Sequence, residues 1–309
     1  MPSVFYNQVE GLDVIGLRSD EAEVAVLPAL GSKVCSLVDR RTGREWMWAA
    51  PEGPRFARVP TASAFDEGCL LGADECIPTV AACTWAGLQM ADHGEAWTEA
   101  WSVDRKALLK GSIVTTLKLP ISPLEMQRAI TLEGRTVRFA YELRSLSDAP
   151  FQYLWTFHPM MNIQEGDRLE LPEEVRQVRV DSAFGCTLGE RGDVLDWPRA
   201  AEDVDLSALD LGRAGGAVKV YTEPLKVGRA AAVNEATGDG LAFEFDTDLV
   251  NTIGLWINRG GWGGYHHFAI EPTNGAPDPL DMAAGDWNRC GELQPGQVHS
   301  WSFTITVGK

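Results

Sequence analysis

The sequence predicts an all-β protein built from antiparallel sheets, and three observations carry that prediction. Short alternating or continuous apolar segments recur along nearly all 309 residues; each is closed by Gly, Pro, Asp or Asn; and long helical periodicity is missing. The 31 glycines and 17 prolines fall mostly between the segments, where tight turns need a positive or a fixed φ. They punctuate strands and do not form a linker. The reading is therefore one domain spanning residues 1–309, a length that a single all-β core can fill.

Strands are expected at 22–27, 112–117, 136–143 and 301–307, the last two alternating cleanly with one wet face. A strand over 153–158 places His158 on the face of Thr156 and Leu154, with Trp155 and Phe157 opposite, and Pro159 should end it. The stretch 187–217 is acidic and loop-like, a surface excursion with a helical turn expected near 206–211. A late strand over 265–271 should stop at Pro272, leaving Glu271 at the end of an otherwise apolar face.

Lys and Arg number 27 against 44 Asp and Glu, for a formal charge of -17, which repels nucleic acid and anionic membranes. Neither is an expected partner. Cys35, Cys69, Cys76, Cys83, Cys186 and Cys290 show no CxxC or zinc-ribbon spacing and read as free thiols in a reducing compartment. The amino terminus lacks a basic region before an apolar core, and no apolar run approaches the roughly 18 residues of a spanning helix. A cytoplasmic protein is expected. A Gly-rich phosphate loop, a GxSxG elbow and an HExxH motif are all missing, and adjacent His266 and His267 project to opposite strand faces. The sequence thus calls for no cofactor and no metal, and it sets no oligomeric state.

Three motifs carry candidate chemistry. Asp92-His93-Gly94 reads as a sharp turn that could present His93 beside Trp97 and Trp101, indoles of the kind that grip a sugar ring, although core tryptophans after a turn fit equally. His158 at a strand end suits a cleft, or is a satisfied half-buried histidine. Glu271 in an apolar cleft would have its pKa raised by desolvation towards the range of a general base; its alternative is an edge-strand surface carboxylate.

In this order and at these separations the motifs resemble the aldose 1-epimerase (galactose mutarotase) family. The matching residues are His93-Gly94 with Trp101, His158-Pro159 with Asn162 beyond, Glu271-Pro272 before Thr273-Asn274-Gly275, and Leu293-Gln294-Pro295-Gly296 before a final strand. The resemblance covers essentially the whole chain. It implies a β-supersandwich with a carbohydrate cleft across one sheet, a monosaccharide as partner, Glu271 as the base that removes the anomeric hydroxyl proton, His158 as the acid that protonates the ring oxygen, and His93 as an assisting hydrogen-bonding group.

The chain departs from the family pattern where sugar hydroxyls are bound. The usual Asn-Arg pair is replaced by Gly72-Ala73-Asp74-Glu75-Cys76, and the usual Asp-His pair has no counterpart over 212–220. Asp74 and Glu75 are expected to bind hydroxyls and to disfavour a phosphate. Trp97, Trp155, Trp256 or Trp262 are expected as stacking surfaces, with Arg259 as a cationic contact. The leading expectation is a mutarotase acting on a free aldose. A carbohydrate-binding or regulatory protein without turnover, and an epimerase or lyase acting on a modified sugar, are the alternatives.

Overall fold

Alternation along the strand Thr136–Ser145 becomes packing directly: Val137, Phe139, Tyr141 and Leu143 are buried, whereas Arg138, Glu142 and Arg144 are exposed. Its neighbour Val298–Val307 does the same with Phe303 and Ile305, and Phe139 stacks on Phe303 with ring centroids 4.8 Å apart. The structure, a computed structural model, describes residues 2–210 and 215–308.

Strand makes up 50% of it and helix 4%, so the all-β expectation holds. Among the described residues there are two large antiparallel sheets. One has 12 strands, with Lys33–Asp39, Ala73–Cys76, Thr156–Pro159, His266–Thr273, Thr252–Arg259, Gly216–Thr222 and Gln177–Phe184 side by side through its middle. The other has eight, centred on Val298–Val307, Thr136–Ser145 and Leu124–Glu133. Val24, Val26 and Ile270 from the first and Met126, Phe139 and Phe303 from the second belong to one hydrophobic cluster. Apolar faces of both sheets therefore bury each other, the arrangement of a sandwich.

Several expected boundaries move. The segment expected over 153–158 is two strands, Phe151–Tyr153 and Thr156–Pro159, which pair in different sheets; the second includes Pro159. The late strand does not stop at Pro272 but runs His266–Thr273, because its pairing with Thr252–Arg259 continues through Ile253↔Pro272 to Thr252↔Thr273. One missing N–H does not end a ladder held on both sides of it. The stretch over 187–217 contributes short strands Val194–Asp196, Arg199–Ala201 and Val204–Asp205, and Leu206 and Ser207 form a turn that does not extend into a helix among the described residues. Leu211 lies outside them, as do residues 212–214, part of the region without an Asp-His pair. All six cysteines are free thiols. No helix in the described residues is long and apolar enough to cross a membrane.

Candidate active site

Cross-strand register assembles the site. His158 stands opposite Asp74, Gly254 opposite Glu271, and Lys219 opposite Trp256, so these side chains share one face of the 12-stranded sheet. A cleft of about 320 Å³ opens on that face, and Phe65, Asp92, His93, His158, Lys219 and Trp256 are among the residues lining it. Met160, Phe184, Trp262, His267 and Asp278 complete much of its wall.

His93 reaches the cleft from a strained turn. Its own φ is 57° and that of Gly94 is 73°, both left-handed, and a Cβ on Gly94 would lie 2.1 Å from the Ile77 carbonyl oxygen. The Glu95 amide donates to that same carbonyl at 2.7 Å, and the His93 amide donates to Val80 O at 2.6 Å. We expect Gly94→Ala to destabilise the protein by about 2 kcal/mol or more and to displace His93. Thermal unfolding checks the first effect, and an unchanged melting temperature would contradict the close approach.

Asp92 sets the orientation of the imidazole. Its Oδ1 lies 2.9 Å from His93 Nδ1, and its Oδ2 accepts from the Phe65 amide at 2.9 Å. Burial raises the Asp92 pKa, but the His93 hydrogen bond and charge, with the backbone donors, outweigh it and hold the carboxyl below its ordinary value. An ionised Asp92 only accepts, so His93 donates to it through Nδ1–H and turns Nε2 away from it. The ring stacks on Phe65 at 4.0 Å and meets His158 edge-on at 5.0 Å.

Glu271 is fully buried beneath the cleft floor. Its Oε2 accepts from Lys219 Nζ at 2.5 Å; its Oε1 has no hydrogen-bond partner among the described residues and lies 3.7 Å from His158 Nε2. Gly254 makes room for the carboxylate: a Cβ there would sit 3.3 Å from Oε2 and 2.9 Å from the Tyr221 ring. Desolvation pushes the Glu271 pKa up, with Lys219 pulling it partly back. Desolvation also pushes His158 well below the ordinary histidine value, reinforced by His93 and Lys219, so this imidazole is neutral at neutral pH.

Behind these groups lies a buried charge network. Lys219 Nζ is 3.5 Å from Asp278 Oδ1, which also accepts from the Tyr221 hydroxyl, while the Asp278 amide donates to Asp181 at 3.2 Å. The Asp278 carbonyl accepts from the Val80 and Ala81 amides, tying the network to the turn that carries His93. Desolvation disfavours the Lys219 ammonium, but Asp278 and Glu271 together overcome it and hold its pKa above the usual lysine value. Desolvation, then the nearby Asp278, raises Asp181 to about 7.

No protein-family model matches the sequence, and no curated protein matches it. Solved structures do. A candidate aldose 1-epimerase from Klebsiella pneumoniae superposes with a TM-score of 0.71 at 18% identity, over 97% of this chain and 80% of that one. The Slr1438 protein of Synechocystis gives 0.70 at 17% identity, over 100% and 96%. A galactose mutarotase-like protein from Lactobacillus casei gives 0.65 at 16%, over 95% and 99%. This chain has the galactose mutarotase-like fold. At such identities the likeness is one of architecture, and the chemistry has to be read from the residues.

On that mutarotase-like frame, His93, His158 and Glu271 come together, and Trp256 joins them on the cleft wall, its indole N–H donating to His267 Nε2 at 3.0 Å. The other expected contacts lie elsewhere. Glu75 and Trp155 face the core between the sheets, where Glu75 accepts from Trp155 Nε1 at 2.8 Å, Tyr141 at 2.9 Å and Arg128 at 2.8 Å. Asp74 is on the cleft side of its strand but fully buried against Lys33. Trp97 packs behind Phe65 and donates to the Asp92 carbonyl. Arg259 points to the opposite face of its strand from Trp256 and donates to the carbonyls of Asp205 and Ala208.

Lys219, Tyr221 and Asp278 are the site groups that motif reading missed. The signal in the sequence was a lysine flanked by Val218 and Val220 inside an alternating strand, a charge on the face shared by Ala217 and Tyr221.

Proposed function

We propose that this protein is an aldose 1-epimerase-like isomerase that interconverts the α and β anomers of a free, uncharged monosaccharide. One observation carries the reading: three motifs far apart in sequence bring two imidazoles into one aromatic-walled cleft and one carboxylate directly beneath its floor. Ring opening needs a proton taken from the anomeric hydroxyl and one returned to the ring oxygen. Glu271 Oε1, the carboxylate oxygen without a hydrogen-bond partner among the described residues, is the proposed acceptor, with the minor imidazolium form of His158 beside it as donor through Nε2 and His93 holding the substrate. Each such group typically contributes about 10² to 10⁴-fold in rate. The roles reverse on reclosure from the other face of the carbonyl.

The size and charge of the cleft support a small neutral sugar. Its volume is near the lower end of ligand pockets, which run from about 300 to 1,000 Å³. Asp66, Asp92 and Asp278 are among its lining acids, so a phosphate or uronate would meet like charge on entering.

NMR exchange spectroscopy on a panel of monosaccharides tests the proposal. Faster α/β exchange is expected with at least one sugar, and no acceleration with any would remove it. The burial of Glu271 beneath His158 and Lys219 favours one rival, a sugar-binding protein without turnover. Calorimetric binding unaccompanied by anomer exchange would select that rival.

A further inference from the structure

Glu271, the proposed base, is not what a ligand in the cleft meets first. The floor is surfaced by His158 and Lys219, while Glu271 lies directly behind the lysine. An ammonium has three N–H donors in a tetrahedral arrangement. Among the described residues one of them is taken by Glu271 Oε2 at 2.5 Å, and Asp278 Oδ1 stands at 3.5 Å as an ion-pair partner. The side chain is 4% exposed, and it lines the cleft.

We propose that Lys219 contacts the substrate, donating an N–H not taken by Glu271 to the sugar oxygen that gains negative charge as the ring opens, while its hydrogen bond to Glu271 and its ion pair with Asp278 hold it in place. This rests on the anomer-exchange reading of the cleft. The physical case is one of charge. When the anomeric hydroxyl loses its proton and the carbonyl forms, the bond from the anomeric carbon to the ring oxygen breaks and its electron pair goes to that oxygen. A fixed cation in a water-poor site stabilises such charge far better than a neutral donor. His158 is neutral at neutral pH, and Lys219 is the lysine at the cleft floor that remains charged there. Tyr221 and Asp278 prevent its withdrawal, because Asp278 is itself fastened by the Tyr221 hydroxyl and by Asp181.

The arrangement also accounts for a buried carboxylate that can stay ionised. Without the lysine, Glu271 would be an uncompensated charge beneath the floor and would take up a proton. Lys219 is thus expected to act twice, as a donor to substrate and as the group that keeps Glu271 competent as a base.

Two measurements test this together. In Lys219→Met, kcat for anomer exchange is expected to fall about 10²- to 10³-fold with KM changing less than about threefold, as when a single charge-stabilising donor is removed. The acid limb of its pH profile should also move to higher pH, because Glu271 loses the cation that favours its ionised form. Lys219→Arg, which keeps the charge, should retain the wild-type position of that limb. The second measurement needs no turnover: in ¹⁵N-lysine-labelled wild type, the protected ammonium signal of Lys219 should shift when a monosaccharide that binds by calorimetry is added to saturation. Binding with a shifted signal but no anomer exchange would remove the isomerase reading and leave the contact standing. Exchange or binding with an unmoved signal would overturn the Lys219 contact and leave the isomerase reading standing. Absence of binding by every sugar would overturn both.

Discussion

Glu271→Gln is expected to slow anomer exchange by about 10²- to 10⁴-fold while leaving the fold intact. The amide has almost the same shape as the carboxylate and can still accept from Lys219 through its oxygen, so the contact at 2.5 Å keeps a partner. The position facing His158 Nε2 then carries no base. Because the lost interaction belongs to the proton transfer and not to docking, the decrease should appear in kcat, with KM much less affected. Saturation-transfer NMR on the sugar that wild type turns over fastest measures it. Residual activity above one tenth of wild type would move the base elsewhere in the cleft, with His93 Nε2 the next group to test.

The second large effect is on stability and lies in the core between the two large sheets. Arg128 is fully buried; its Nη1 donates to Glu75 at 2.8 Å and its Nη2 to the Ser32 hydroxyl at 2.8 Å. Glu75 is also fully buried, so burial raises its pKa and Arg128 is the principal counterweight. Removing one member of such a pair leaves an uncompensated charge in a low-dielectric interior, which costs about 3–5 kcal/mol. Arg128→Met should therefore lower the stability measured in urea by that amount. The double substitution Arg128→Met with Glu75→Gln should recover part of it, since the amide still accepts from Tyr141 and Trp155 without a net charge to bury. A loss below about 1 kcal/mol in the single variant would mean that Glu75 is protonated in the native state. Neither substitution touches the cleft, so anomer exchange per folded molecule should stay at the wild-type rate.

These two glutamates show how far sequence reasoning reaches. Glu271 was legible because three local signals coincided: alternation along its strand, a following proline, and two upstream histidine motifs in a familiar order. Glu75 stands beside Asp74, where the family resemblance implies hydroxyl-binding groups, yet consecutive strand residues face opposite sides, and the core takes Glu75. Trp155 followed Glu75, to which it donates its indole N–H. Arg259 has the charge and the glycine-rich neighbours of a binding contact, but its side chain lies on the far face of the strand from Trp256.

What the sequence determined by itself was local and periodic. The spacing of apolar residues and the placement of glycine and proline were enough for an all-β chain, and the turn at His93-Gly94 and the strand-borne His158 and Glu271 could be named before their partners were known. The tertiary structure decided which of these side chains meet and what else meets them. Lys219 answers Glu271 across 52 residues of chain, and Asp278 closes the network from a loop beyond the same sheet. Register between strands is set by burial of whole sheet faces and by pairings between distant segments, so no window of sequence contains it. That is why the acid, the base and the turn could be read from the chain, while the cation beside them appeared only once the strands were aligned.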